Sequence, residues 1–266
     1  MTVVGIDVGG SKILAASVDV TTGAVLRELR TPTPVSAGGE AVLQACAELA
    51  RELAPDGPAT VGIGLCEFVD QSGAPTSAFT VDWRGLDVPG AFGEGAHVRI
   101  ESDVRAAALA ETRFGAAAGF ESFVYLVVGT GVSHCLVLHG QPYAGARGNA
   151  IVVGAPPAER TAGGLALAER AGVDRAELVL SDPARASFVD AAADELGLAL
   201  AALVNALDPE AVVIGGGLGL VDRYRERVAA AARAAIEHEA TRELPIVPAT
   251  LGPRSGVIGA ALIAAR

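Results

Sequence analysis

The stretch Val3-Val4-Gly5-Ile6-Asp7-Val8-Gly9-Gly10-Ser11-Lys12-Ile13 constrains the fold of this chain more than any other. An apolar run carries one carboxylate near its end. Two glycines, a hydroxyl and a lysine follow, and a second apolar run resumes at once. Such runs predict buried strands. The glycines between them predict a tight turn whose backbone approaches something closely. Two readings of that turn stand. Backbone N–H groups and a hydroxyl suit phosphate oxygens, and an Asp at the strand's end suits a hydrated Mg²⁺. The plainer reading is a β-hairpin with a glycine turn. The common phosphate loop is excluded, because G-x-x-x-x-G-K-[ST] must lead into a helix, whereas Ile13 to Val20 has the pattern of a strand.

The rest of the first half extends this unit. Residues 24–30 predict a third strand, joined by a turn at Thr21-Thr22-Gly23. Residues 40–54 predict a helix with Val42, Cys46, Leu49, Ala50 and Leu53 on one face, stopped by Pro55 to Pro58. A short buried strand at 60–65 precedes an irregular stretch, 70–96, that holds Trp83. Long irregular stretches inside compact domains are usually functional. A strand at 97–101 and a helix at 103–114 follow. At Phe123 the opening order begins again: strand 123–128, glycine turn Gly129-Thr130-Gly131, strand 132–138, turn His139-Gly140, and a strand from Gln141. Two such units about 120 residues apart predict two similar domains. Beyond them come short helical pieces in 145–185 and a long apolar helix at 187–207. A strand at 211–214 then runs into Gly215-Gly216-Gly217. A charged helix (220–239), a strand (246–249) and a final apolar helix (257–265) complete the chain.

Composition narrows the function. A net charge of −11 argues against a nucleic-acid surface, which needs clustered Lys and Arg. The three cysteines, Cys46, Cys66 and Cys135, are odd in number and far apart, which points to a reducing compartment without a disulfide framework. There is no signal-peptide pattern at the start and no apolar run long enough to span a bilayer. A soluble cytoplasmic protein is expected.

Four features carry chemistry: Asp7 with its glycine turn, the turn Gly129-Thr130-Gly131, Asp103 at a helix start after a strand, and the strand that ends in Gly215-Gly216-Gly217. Glycine turns on two facing domains suit a triphosphate, and a triple glycine lets a flat ring lie on the backbone. Asp103 has two readings. It is a helix cap worth about 1 kcal/mol, or a general base placed to take a proton from a substrate hydroxyl.

Together these features resemble the ROK family of sugar kinases and regulators, within the actin-like ATPase and hexokinase fold. The resemblance runs through Gly5 to Lys12; Asp103 with Ala106 and Phe114-Gly115-Ala116; Val128 to Val132; and Gly145-Ala146-Arg147-Gly148. It ends with Asn205 to Gly217 and Gly259-Ala260-Ala261. It implies an α/β, two-domain actin-like ATPase (ribonuclease H-like) fold with an interdomain cleft. One domain comprises 1–103 plus 253–266 and the other 104–252. It implies an ATP-dependent kinase acting on a sugar-like hydroxyl, with Asp103 as base and Asp7 near Mg²⁺ through water. Gly9, Gly10, Ser11, Lys12, Gly129, Thr130 and Gly131 would line the phosphates, and Gly215, Gly216 and Gly217 the adenosine. A homodimer is expected. The chain opens on the phosphate strand, so no helix-turn-helix is expected ahead of it. A non-catalytic ligand-binding protein on the same fold is the alternative.

The departures bear on the acceptor. Ser102 stands where the family has Asn before the base, and Arg105 stands close to a second Asn. In the register that follows Gly145-Ala146, Val152 replaces a sugar-gripping Glu and Ala155 a His. No cysteine lies beyond Cys135, so no zinc is expected. Each charged hydrogen bond lost from a buried site costs about 1.5–3 kcal/mol, so a modified or amino sugar or a cyclitol fits better than plain glucose. Candidate acceptor contacts are Glu67, Thr80, Asp82, Trp83, Ser102, Arg147 and Asn149. Glu67 reads equally as a solvated loop carboxylate and Trp83 as ordinary core. His134 and Cys135 either crowd the nucleotide or face away; His97 and His238 read as surface residues.

Overall fold

The computed structural model describes residues 1–55, 60–153 and 160–266. Pro58, Gly154 and Ala155 lie outside the described residues. The chain divides into two compact units, one of residues 1–118, 141–150 and 254–266, the other of residues 119–140 and 151–253.

The first unit holds a sheet ordered β3-β2-β1-β4-β5, from strands β1 (Thr2–Val8), β2 (Lys12–Asp19), β3 (Ala24–Pro32), β4 (Thr60–Leu65) and β5 (His97–Ser102). β1 and β2 form an antiparallel hairpin, whereas β1, β4 and β5 run parallel. Parallel strands are covered on both faces and need continuous apolar runs; Val3-Val4-Gly5-Ile6 and Val61-Gly62-Ile63-Gly64-Leu65 supply them, all buried. β3 is an edge strand, mostly exposed, and carries Arg27, Glu28 and Arg30, the charged face that keeps an edge from pairing further. The helix Gly39–Leu53 buries Val42, Leu43, Cys46, Ala47 and Ala50, the stripe expected of a helix on a sheet.

The helix Ser255–Ala264 is buried nearly all round. It reaches the sheet backbone to backbone, because glycine removes every intervening side chain. A Cβ built on Gly5 would lie 1.9 Å from the Val257 carbonyl oxygen, and one on Gly62 1.7 Å from that of Ala260. On its other side, a Cβ on Gly259 would lie 1.8 Å from the Ala106 carbonyl of helix Asp103–Phe114. That contact explains why residues 104–118 belong to the first unit, so the boundary expected at 103/104 is corrected to 118/119.

The second unit repeats the topology with β6 (Ser122–Val128), β7 (Val132–Leu138), β9 (Ala211–Gly215) and β10 (Ile246–Pro248), ordered β10-β9-β6-β7. β6 pairs antiparallel with β7 and parallel with β9. The strand expected from Gln141 shrinks to β8, Gln141–Pro142. Helices Ala186–Leu207 and Asp222–Ala235 pack together, with Gly197 so close to Val228 that a Cβ would meet its carbonyl at 2.7 Å. Among the described residues no helix is long and apolar enough to cross a membrane.

Replacing Gly62 by Ala is expected to lower the unfolding free energy by about 3 kcal/mol, because the methyl must push the Ser255–Ala264 helix off the sheet. Denaturant unfolding at neutral pH measures it.

Candidate active site

Parallel pairing brings three strand ends together. Val8 of β1 is in register with Leu65 of β4, and Leu65 with Ser102 of β5. The residues just past those ends are Gly9, Cys66 and Asp103. Ligands of open α/β sheets bind outside the carboxyl ends of the strands, and the candidate residues of the first unit gather there.

The turn after β1 is held by a hydrogen bond from Gly9 N–H to the Lys12 carbonyl, 3.0 Å. The end of β3 fastens it: Thr33 donates its hydroxyl to the Gly9 carbonyl at 2.7 Å and its N–H to that of Ser11 at 3.2 Å. Gly10, Ser11 and Lys12 stay exposed. Asp7 lies partly buried at the base of this turn. A Cβ on Gly256 would meet the Asp7 carboxylate at 2.6 Å, so the start of the C-terminal helix must be bare to admit it. Loss of hydration and the charge of Asp103 push the Asp7 carboxyl up to about 7, against the pull of Lys12. Ionising a carboxylate at this place is costly without a cation beside it, so the position fits the hydrated Mg²⁺ that the family resemblance implies.

Asp103 is the first residue of helix Asp103–Phe114, with Ser102 at the cap position. It does not act as a cap: its Oδ1 accepts the neighbouring Val104 N–H at 2.7 Å rather than an amide two or three positions on. Its Oδ2 accepts the Cys66 S–H at 3.0 Å. Burial raises its pKa, and these hydrogen bonds oppose the rise. The helix N-terminus also favours a carboxylate there. Ser102 is fully buried, with its hydroxyl 3.5 Å from Asp103 Oδ1, so it backs the carboxylate rather than an acceptor.

Glu67 takes neither role read from the sequence. It is 1% exposed. Its carboxylate accepts the Ser77 hydroxyl (2.5 Å) and the N–H groups of Phe79 (2.7 Å), Thr80 (2.6 Å) and Val81 (3.0 Å). Successive backbone N–H groups around an anion form a nest, and here the anion belongs to the protein. The nest shapes loop 77–81 and brings Thr80 beside the phosphate turn, where its Cγ2 would lie 3.3 Å from a Cβ on Gly10. Sequence offered one signal, a carboxylate directly after an apolar strand, but its donors lie too far along an irregular loop to be paired by eye.

Two other acceptor candidates have partners within the protein. Trp83 is 2% exposed and packs in the core with Val81 and Val88. Asp82 is exposed and doubly bonded to Arg84, whose guanidinium holds its carboxyl down near 2. Arg147 and Asn149 are exposed and open to a ligand. Arg105, read only as a departure, is a buried structural knot. It pairs with Glu101 and donates to the carbonyls of Gly148 (2.7 Å) and Val69 (2.5 Å), tying two loops to the helix. A hollow of about 810 Å³ lined in part by Arg99, Glu101 and Arg105 lies on the same unit, and neither Asp7 nor Asp103 lines it.

In the second unit, the turn 129–131 is closed by Gly129 N–H to the Gly131 carbonyl (2.9 Å) and capped by the helix Gly164–Arg170, whose Gly164 and Leu165 N–H groups bond the Gly129 and Thr130 carbonyls. The triple glycine divides by role. A Cβ on Gly215 would strike the Tyr125 hydroxyl at 2.4 Å, and one on Gly216, at φ +83°, the Val128 carbonyl at 2.4 Å. Only Gly217 faces open space. His134 and Cys135 are buried in β7, and Val152 is exposed. His97 and His238 are exposed. No group of three or more His, Cys, Asp or Glu among the described residues is placed to hold a metal ion.

This arrangement is that of the actin-like ATPase fold. The structure of a ROK hexokinase from Thermus thermophilus matches it at a TM-score of 0.80 and 33% identity, covering 99% of this chain and 97% of that one. A Streptomyces griseus ROK glucokinase in complex with glucose and AMPPNP matches at 0.86 and 24%, covering 98% of each chain. Residues 3–163 and 159–266 match the ROK family model, and the chain belongs to the ROK family. It is 33% identical over 99% of its length to the bifunctional enzyme NanE/NanK of Brucella suis, and spans 53% of that protein, about half its length. It is 31% identical over 97% of its length to the polyphosphate glucokinase of Mycobacterium tuberculosis (strain CDC 1551 / Oshkosh), covering 89% of it.

Two outcomes follow. Glu67→Gln leaves one oxygen too few for the nest; it is expected to lower stability by about 1–3 kcal/mol and to speed amide exchange selectively at Phe79–Val81, read by hydrogen-exchange mass spectrometry. Asp7 has a folded-state pKa near 7 against 3.8 unfolded, so without Mg²⁺ its contribution is lost as pH rises from 4 through 7. Asp7→Asn is therefore expected to be more stable than the parent at pH 8 by on the order of 2–4 kcal/mol, with the gap closing at pH 4. Thermal unfolding across pH reads the difference.

Proposed function

We propose that this chain is an ATP-dependent phosphotransferase that phosphorylates a hydroxyl of a sugar-like acceptor, with Asp103 as general base. The observation that carries this reading is the meeting of Asp103 with Asp7 and its phosphate-type turn at the ends of three parallel strands. Gly64 keeps the space between the two acids free: a Cβ there would lie 3.5 Å from Asp103 Cα and 3.8 Å from Asp7 Oδ1.

In this reading Asp103 accepts the acceptor's hydroxyl proton as that oxygen attacks the γ-phosphorus. The bond from the γ-phosphorus to the β–γ bridging oxygen breaks, ADP departs, and the proton leaves Asp103 for solvent. Asp103's raised pKa makes it a better base than an exposed carboxylate. In the first unit the exposed Ser11 hydroxyl and Lys12 ammonium suit phosphate oxygens, and in the second unit the turn 129–131 does so by its own backbone. Gly217 offers the bare backbone for adenosine. Mg²⁺, held through Asp7, neutralises phosphate charge when bound. Most of the rate enhancement is positioning and electrostatics.

The acceptor is a modified or amino sugar or a cyclitol. Supporting this, Val152 stands exposed where the family resemblance implies a Glu, and Glu67 is consumed by its own loop. Thr80, Arg147 and Asn149 are the remaining candidate contacts. A screen of glucose, N-acetylated amino sugars and cyclitols, read by ADP release, tests the proposal. Asp103→Asn is expected to remain folded and to lose about 10²–10⁴-fold in kcat. A folded Asp103→Asn of full activity overturns the base, and ligand-induced stabilisation without turnover on any acceptor overturns the kinase.

A further inference from the structure

The β1-β4-β5 register that gathers the site also places Cys66, a residue with no part in the reaction as described. It is one residue beyond Leu65, whose partners are Val8 on one side and Ser102 on the other. Its sulfur is therefore set between the end of the phosphate strand and the start of the base's helix. It lies 3.4 Å from the Val8 carbonyl oxygen and 3.0 Å from Asp103 Oδ2. We propose that the Cys66 thiol is a positioning residue for Asp103, pinning Oδ2 while the Val104 N–H pins Oδ1, so that the carboxylate plane is fixed before the acceptor arrives.

Held at both oxygens, the carboxylate cannot turn about its Cβ–Cγ bond without losing a hydrogen bond. Oδ1 also accepts the Ser102 hydroxyl, and Oδ2 keeps a second lone pair for the acceptor hydroxyl. Why a thiol serves here follows from its chemistry. A strong or charged donor at 3 Å would hold the carboxylate equally well but would lower its basicity. S–H is a weak donor; it orients the base and offsets only part of the rise that burial confers, being the first of the hydrogen bonds that oppose it. Burial, followed by the negative charge of Asp103, raises the Cys66 thiol well above its ordinary range, so it keeps its proton and stays a donor. The competing acceptor, the Val8 carbonyl, is the more distant of the two, 3.4 Å against 3.0 Å. The thiol is neither a nucleophile nor a proton carrier in this role.

The inference rests on Asp103 being the base, and the test separates the two claims. Cys66→Ala, which removes the donor, is expected to lower kcat about tenfold and leave KM for nucleotide and acceptor within about twofold. Cys66→Ser, which keeps a donor of similar size, is expected to restore most of kcat. Equal losses in the two variants, or an unaltered kcat in Cys66→Ala, overturn the proposal. Infrared spectroscopy of the parent reads the bond itself. The S–H stretching band that vanishes in Cys66→Ser is expected to shift in Asp103→Ala to the higher frequency of a thiol on the weaker Val8 carbonyl acceptor. A band that stays in place overturns the hydrogen bond whether or not the protein is a kinase, and a chain without turnover is decided by that band alone. An active Asp103→Asn alongside a shifted band refutes the base and leaves the bond intact.

Discussion

The first unit depends on one contact: the C-terminal helix lying bare against the backbones of β1 and β4. Gly5, Gly62 and Gly259 each remove a side chain that would otherwise hold the helix away, and the gaps of under 2 Å that a Cβ would leave are far inside van der Waals range. A helix so placed has no solvent face, which is why Ser255–Ala264 is apolar throughout rather than amphipathic. Its first turn then meets Asp7, where Gly256 leaves room for the carboxylate. Core packing and site geometry are thus one arrangement, joined by the last residues of the chain returning to the first strand.

Three carboxylates at the strand ends meet three different fates. Glu67 is fully satisfied by a hydroxyl and three successive amides, so it is spent on holding a loop. Asp103 accepts one amide, one thiol and, at 3.5 Å, one hydroxyl; these orient it and oppose the rise in pKa that burial causes. Burial and the charge of Asp103 push the Asp7 carboxyl up to about 7, and burial raises Asp103. Shifted acids gathered at strand ends mark a candidate active site.

Most elements were legible because their signals are local. Apolar runs broken by glycine turns located β1, β2, β6 and β7, and the helix start at Asp103 agrees with the structure to the residue. What sequence could not show is register across distant segments. Nothing in the run Val61–Leu65 says that its end lies between Val8 and Ser102, so Cys66 went unassigned. Glu67 was misread because its partners sit in an irregular loop without periodicity. Trp83 was ambiguous because an aromatic beside a polar loop suits a pocket wall and a core equally, and packing with Val81 and Val88 decided it. The domain boundary was misplaced for the same kind of reason, since the Gly259–Ala106 contact joins residues far apart in the chain.

The proposed transfer of a phosphoryl group to an alcohol is read most directly by ³¹P nuclear magnetic resonance of the chain with ATP, Mg²⁺ and an N-acetylated amino sugar or cyclitol. A growing phosphomonoester resonance is expected, matched in amount by ADP and dependent on the acceptor. Inorganic phosphate as the only product, or an unchanged ATP spectrum with every acceptor, would contradict it.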